Sequence, residues 1–242
     1  MSEQQMTFQR IEMKYFLDPL QFLELKKRLK GTMVTDRYGD STICNIYFDT
    51  PDARLIRESL EKPVYKEKFR LRSYGIPKEN STVFLELKKK YKGVVYKRRE
   101  TMYLGEAESY LYHGKKTERN TQVLREIDWF FHYYKDMIPA MYISYERNAL
   151  YHMENKELRM TFDRNILWRT ECLRLENGSF GVPLLEEGWC LMEIKIPGAM
   201  PLFLGHILDE LKIYPASFSK YGQAYQRNQL EKLQKKGGES CA

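Results

Sequence analysis

The chain has 242 residues, of which 43% are hydrophobic, so a real core can form in one large domain or two small ones. Its 40 Lys and Arg against 33 Asp and Glu leave a net charge of +7, which favours an anionic partner without naming it. Residues 1–7 lack an apolar signal segment, no apolar run is long enough to span a bilayer, and no C-x-x-C pair occurs, so the expectation is a soluble cytoplasmic protein with no zinc or disulfide framework.

In chain order, Phe8–Phe16 reads as a strand. Asp18–Lys30 is a helix, with Asp18 as N-cap, Pro19 in the first turn and Phe22, Leu25 and Leu29 at helical spacing. Strand Ile43–Phe48 precedes helix Pro51–Leu60. Three strands follow, Val64–Ser73, Val83–Lys89 and Val94–Tyr103, separated by turn-like segments Gly75–Ser81 and Lys90–Gly93. Asn120–Lys135 is a helix with Val123, Leu124, Ile127, Phe130 and Phe131 on one face. Strands Met141–Leu150, Leu158–Leu167 and Cys190–Ile196 come next, then helices Met200–Leu211 and Tyr221–Lys235. A single domain is expected over residues 1–234, with a disordered tail at 235–242. Trp129 and Trp168 read as core, and the runs Lys88–Lys90 and Lys97–Arg99 read as partly solvated.

Successive side chains on a strand point to opposite faces. Arg10, Glu12 and Lys14 share one face of the first strand. Lys68, Arg70 and Arg72 share one on the third, and Glu86 and Lys88 on the fourth. Lys97 and Arg99 share a face, as do Tyr145 and Arg147, then Arg159, Thr161 and Asp163, then Glu193 and Lys195. These faces hold eleven basic and four acidic groups, and the opposite faces are mostly apolar. One reading is the wet side of an antiparallel sheet. The other is the lumen of a barrel, favoured because the polar positions are nearly all long cations. Close cations repel by about 1–4 kcal/mol per pair, so a resident anion relieves them. Linked phosphates suit Arg forks and Lys charges, and carboxylates suit Mg²⁺ or Mn²⁺ bridging those phosphates.

The segments Arg10–Tyr15, Lys68–Arg72, Glu86–Lys88, Tyr145–Arg147, Arg159–Asp163, Glu193–Lys195 and Ser217–Gly222 occur in that order. Together they resemble the VTC domain, the polyphosphate polymerase branch of the triphosphate tunnel metalloenzymes, a CYTH-like superfamily. The resemblance runs from about Phe8 to Tyr225. It implies an α+β fold, an eight-stranded antiparallel β-barrel tunnel with helices packed on the outside. It also implies transfer of the γ-phosphoryl of ATP to a growing polyphosphate, with Mn²⁺ or Mg²⁺ as cofactor. By position, Lys14, Arg70, Arg72, Lys88, Lys97, Tyr145, Arg147, Arg159, Lys195 and Lys220 would bind phosphate. Of these, Arg70, Arg72, Arg147 and Lys220 would be catalytic, with Lys220 in the loop before the last helix. Glu193 would hold the metal, with Glu12 and Glu86 as further candidate ligands. Arg10 stands where the wider superfamily often carries an acid, which leans toward the polymerase branch.

Two alternatives stay open, a triphosphatase and a non-catalytic polyphosphate or inositol-phosphate binder. Nucleic acid is not expected, because Tyr15, Phe69 and Phe162 lie on the faces opposite the cations. His113, His132, His152 and His206 lie outside the charged faces, and no glycine-rich phosphate loop occurs, so side chains must bind the phosphates.

Overall fold

A computed structural model describes residues 11–238, except the side chains of Tyr38 and residues 235–238. Nine strands and six α-helices follow the order β1 (Ile11–Leu17), α1 (Pro19–Arg28), β2 (Met33–Asp49), α2 (Arg54–Leu60), β3 (Tyr65–Tyr74), β4 (Thr82–Tyr91), β5 (Val94–Tyr103), α3 (Leu104–His113), α4 (Gln122–Tyr134), β6 (Ile138–His152), β7 (Arg159–Arg169), β8 (Val182–Pro183), β9 (Cys190–Ile196), α5 (Leu202–Glu210) and α6 (Lys220–Gly238). The hydrogen-bonded order is β1-β9-β7-β6-β2-β3-β4-β5, with β8 paired to β7. The ladders flanking β3, β4 and β9 are antiparallel.

This corrects the expected closed barrel of eight strands. There are nine strands, and their order begins at β1 and ends at β5; no β1–β5 ladder joins the ends among the described residues. The β5 edge has a physical reason to stay unpaired. Lys97, Arg98, Arg99 and Glu100 follow one another along it, and charged side chains blunt an edge against further pairing. The strand expected at Phe8 begins at Ile11; residues 8–10, Arg10 included, lie outside the described residues. Helix α6 runs to Gly238, and residues 239–242 of the expected tail lie outside the description.

The chain forms two compact units, each with its own core. The first combines residues 11–41, 146–165 and 185–218. In it Tyr15, Leu17, Leu25, Leu29, Phe162 and Met192 are among the buried side chains. Helix α1 starts at a capping box: Asp18 accepts from the Gln21 N–H at 2.8 Å, and Gln21 accepts from the Asp18 N–H at 3.1 Å. The second combines residues 42–145, 166–184 and 219–238. Its core joins the apolar faces of β3 and β4, Phe69, Leu71, Leu85 and Leu87, to Leu124, Ile127 and Phe130 of α4.

Alternation in the middle of β3 and β4 is therefore real: Phe69, Leu71, Val83, Leu85 and Leu87 enter the core, while Lys68, Arg70, Arg72, Glu86 and Lys88 carry the charge on the other face. Cys44, Cys172 and Cys190 form no disulfide among the described residues, while Cys241 lies outside them. No helix among the described residues is long and apolar enough to cross a membrane. Trp168 is buried as expected, but Trp129 is not; it lies exposed on α4, stacked on Tyr133 at 5.1 Å.

Candidate phosphate site

In the second unit the strand registers bring separate cations onto shared rungs. Tyr47 lies opposite Arg70, Arg70 opposite Glu86, and Glu86 opposite Arg99. One rung along, Lys68, Lys88 and Lys97 face one another across β3, β4 and β5. Glu86 is the centre of this group, with its side chain only 1% exposed. Its Oε2 accepts from Arg70 at 2.8 Å through Nε and lies 2.7 Å from Nη2. Its Oε1 accepts from Arg99 Nε at 2.8 Å and lies 2.7 Å from the Lys97 ammonium. Arg72 Nε lies 3.7 Å from Oε2.

Four positive charges and one negative leave three positive in the group. Burial by itself would raise the Glu86 carboxyl; Arg70, Arg72 and Lys97 reverse that and hold it well below the carboxylate range. Neutral groups fix the arginines further. Arg70 donates to the Tyr47 hydroxyl at 2.9 Å. Arg72 donates to Asn45 Oδ1 at 2.9 Å and to the Tyr145 hydroxyl at 3.2 Å. Asn45 in turn donates to the Ile143 carbonyl at 2.9 Å. Such a rigid, over-cationic group is suited to an anion with several oxygens.

The start of α6 joins the same unit. Lys220 is the first residue of that helix rather than part of the loop before it, and its ammonium lies 4.6 Å from the Tyr145 ring centre. Lys68 donates to Ser219 Oγ at 3.0 Å. Tyr221 stacks on Tyr47 at 4.6 Å and donates to Asp49 at 2.8 Å. Asp49 also accepts from the N–H groups of Leu55 and Ile56 at 2.9 and 3.0 Å. It thereby caps α2, whose own N-cap residue, Ala53, makes no side-chain cap.

In the first unit β1 and β9 place Lys14 opposite Glu193, and Glu12 opposite Lys195. The Lys14 ammonium lies 3.7 Å from Glu12 and 3.6 Å from Glu193, and donates to the Phe218 carbonyl at 2.9 Å. Lys195 lies 3.8 Å from Glu12. Arg147 grips Asp163 with two bonds of 2.6 and 2.7 Å and lies 3.9 Å from Glu193. Arg159 lies opposite Lys195 in the ladder, is exposed, and donates to the Lys156 carbonyl at 3.3 Å.

No group of three or more His, Cys, Asp or Glu able to hold a metal exists among the described residues. Glu12 and Glu193 nonetheless share one ammonium, and the buried Thr161 hydroxyl, on the residue opposite Glu193, has no hydrogen-bond partner. Hard oxygens of this kind fit a divalent cation that draws its remaining ligands from water and phosphate.

The charged faces of β3, β4 and β5 agree with the sequence pattern, whereas Asn45, Tyr47, Lys68 and Arg99 lie outside the expected set of site residues. The signal for Asn45 and Tyr47 was their shared face on β2, opposite Cys44, Ile46 and Phe48.

A model of the VTC domain matches residues 9–228, nearly the whole chain. The chain belongs to the VTC domain family. Comparison with the curated proteins gives no match. Among solved structures, a candidate adenylate cyclase from Bacillus halodurans superposes with a TM-score of 0.56 at 14% identity, over 87% of this chain and 93% of that one. A candidate adenylyl cyclase from Hippeastrum with a dominant triphosphatase activity superposes with a TM-score of 0.55 at 17% identity, over 90% and 95%. At these identities the two likenesses bear on the fold of this VTC domain alone.

Lys97 gives the phosphate site a pH signature. Desolvation lowers its ammonium to about 8, although Glu86 pulls the other way. Its folded value lies below the ordinary 10.5, so the unfolded chain binds more protons between those values and stability rises with pH across that window. Anion affinity has the opposite trend, because a bound phosphate favours the charged ammonium. Tripolyphosphate binding is expected to weaken as pH rises through about 8, with proton uptake on binding. Calorimetry at pH 8.5 in buffers of different ionisation enthalpy measures that uptake; Lys97→Arg should abolish it.

Proposed function

We propose that this VTC-family chain is a polyphosphate polymerase, which transfers the γ-phosphoryl group of ATP to the end of an inorganic polyphosphate and releases ADP. The observation that carries this reading is the convergence of Arg70, Arg72, Lys97 and Arg99 on the single buried carboxylate of Glu86. That arrangement fixes cations in place before any phosphate arrives.

Phosphoryl transfer demands positioning and charge stabilisation more than covalent help. The guanidinium forks of Arg70, Arg72 and Arg99, with Lys97 and Lys88, hold phosphate oxygens. Lys220 neutralises charge that grows at the reacting phosphate, and Tyr145 holds Arg72 in place. The bond from the γ-phosphorus to the β–γ bridging oxygen breaks as a terminal oxygen of the acceptor bonds to that phosphorus. The acceptor oxygen is already ionised, so no base must remove a proton. Glu86 acts as the organiser of the cations instead of as a metal ligand, since both its oxygens are engaged by them.

In the first unit Lys14, Arg147, Arg159 and Lys195 are assigned phosphate contacts. Glu193, with Glu12 beside it, would hold Mn²⁺ or Mg²⁺. When bound, that cation supplies charge neutralisation on phosphate oxygens.

A triphosphatase is the second reading, supported by the dominant activity of the Hippeastrum relative. It would use water as acceptor and would need a base. Glu86, the carboxylate at the centre of the cluster, is fully ion-paired and unsuited to that task.

Purified protein incubated with ATP and Mn²⁺ separates these readings. A polyphosphate ladder with ADP is the expected result. Free phosphate without a ladder would establish the hydrolase, and tight polyphosphate binding with no turnover would leave a binding module. Glu193→Ala should lose metal-dependent turnover and keep phosphate binding; persistent turnover overturns the metal assignment.

A further inference from the structure

The β4–β5 hairpin carries a surface that phosphate chemistry does not use. Tyr91 pairs with Val94, so Lys92 and Gly93 alone make the turn. Both have positive φ, 46° and 85°, the geometry that suits a tight two-residue hairpin. The Lys92 N–H donates to the Val64 carbonyl at 3.0 Å, which fastens the approach to β3 onto the same tip. Tyr65 and Tyr91 lie opposite each other, with ring centres 6.5 Å apart. Val64, Tyr65, Tyr91, Val95 and Tyr96 are each between 46% and 63% exposed.

Glu67 and Glu126 reach Lys89 from outside the hairpin, and Glu126 also pairs with Arg98, but the hairpin itself holds no acid between Glu86 and Glu100. Residues 88–99 read Lys-Lys-Lys-Tyr-Lys-Gly-Val-Val-Tyr-Lys-Arg-Arg, seven cations without an acid, of which Lys88, Lys97 and Arg99 belong to the candidate phosphate site. Lys90 and Lys92 are exposed at the tip itself, with Lys92 5.4 Å from the Tyr91 ring centre. Free polyphosphate would reward the lysines, yet exposed valines gain nothing from a hydrated polyanion. An anionic bilayer rewards both: Tyr sits at the headgroup level, aliphatic side chains enter the acyl boundary, and Lys meets the surface potential.

We propose that this hairpin tip docks the protein onto anionic lipid surfaces. It lies on the surface as a peripheral contact, since no helix among the described residues is long and apolar enough to span. The polar loss on docking is small because the tip's hydrogen bonds are already made within the hairpin.

The test is co-sedimentation of the full chain with vesicles of phosphatidylcholine containing 30% phosphatidylglycerol, at physiological salt. Binding is expected there and not to pure phosphatidylcholine vesicles. The double variant Val95→Ser/Tyr96→Ser should weaken it at least tenfold. Lys90→Glu/Lys92→Glu should weaken it by about fivefold or more for each charge changed. Melting temperature and turnover in solution report that both variants are folded and that the catalytic groups are untouched. A Val95→Trp variant should show a blue-shifted emission quenched by brominated acyl chains. Three results overturn the proposal: no binding to anionic vesicles, binding unaffected by Val95→Ser/Tyr96→Ser, or binding displaced wholly by tripolyphosphate with no quenching, which would show that the lysines meet a soluble polyanion instead.

Discussion

Glu86→Ala is expected to destabilise the protein by about 3–5 kcal/mol, because removal of one partner from a buried ion pair leaves the other uncompensated. Here the loss is sharper than for a simple pair. Arg70, Lys97 and Arg99 all lie within hydrogen-bonding reach of that one carboxylate, and Arg72 stands at 3.7 Å. Urea denaturation reads the free energy, and a fall in melting temperature on the order of 10 °C accompanies it. Tripolyphosphate should restore part of the lost melting temperature, since an added anion that binds only the folded state replaces the missing counter-charge. A variant that melts like the parent would remove Glu86 from the centre of the site. The acid limb has a definite sign. The folded carboxyl titrates well below its ordinary 4.5, so its stabilisation is present at neutral pH and is lost as the pH falls below that value.

Lys220→Ala is expected to lower kcat by about 10²–10³ while the protein stays folded, the scale typical of removing one preorganised stabiliser of transition-state charge. Lys220 opens α6 and rests over Tyr145, so its ammonium is placed by a helix start and a ring. The helix start is itself fixed by Ser219, whose hydroxyl accepts the Gly222 N–H at 3.2 Å, and by the Tyr221–Asp49 bond. Truncation at Lys220 removes the charge and leaves those anchors. Steady-state kinetics with ATP and Mn²⁺ should therefore show kcat falling with little change in KM. A KM effect alone would make Lys220 an ordinary binding contact. A kcat within threefold of the parent would remove it from the reaction.

The strand faces were readable because period-two alternation depends only on local geometry. Phe69, Leu71, Leu85 and Leu87 on one side and Arg70, Arg72, Glu86 and Lys88 on the other are separated by the pleat itself. Register was not readable, because it depends on pairing between segments far apart in sequence. Nothing in Glu86-Leu-Lys88 alone says that this glutamate meets Arg70 and Arg99 while Lys88 meets Lys68 and Lys97. The contacts of Glu86 with Arg70, Lys97 and Arg99 therefore come from register alone. The first half of β2, Met33–Thr42, escaped for a related reason. Its polar residues show no alternation. Helix α3 escaped because its N-cap position holds Tyr103, which makes no side-chain cap and gives no start signal.

The ladder between β1 and β9 sets a demand on synthesis. Ile11 pairs with Ile196 and Leu17 with Cys190, so the first described strand finds its neighbour only after most of the chain has been made. At about 5–20 residues per second, a ribosome needs on the order of 10–40 s to cover that separation. During that interval Tyr15 and Leu17, both destined for the core, have no sheet to enter. Assembly of the first unit accordingly waits until β9 has been made, is slow in refolding and depends on whatever shields an unpaired strand in the meantime.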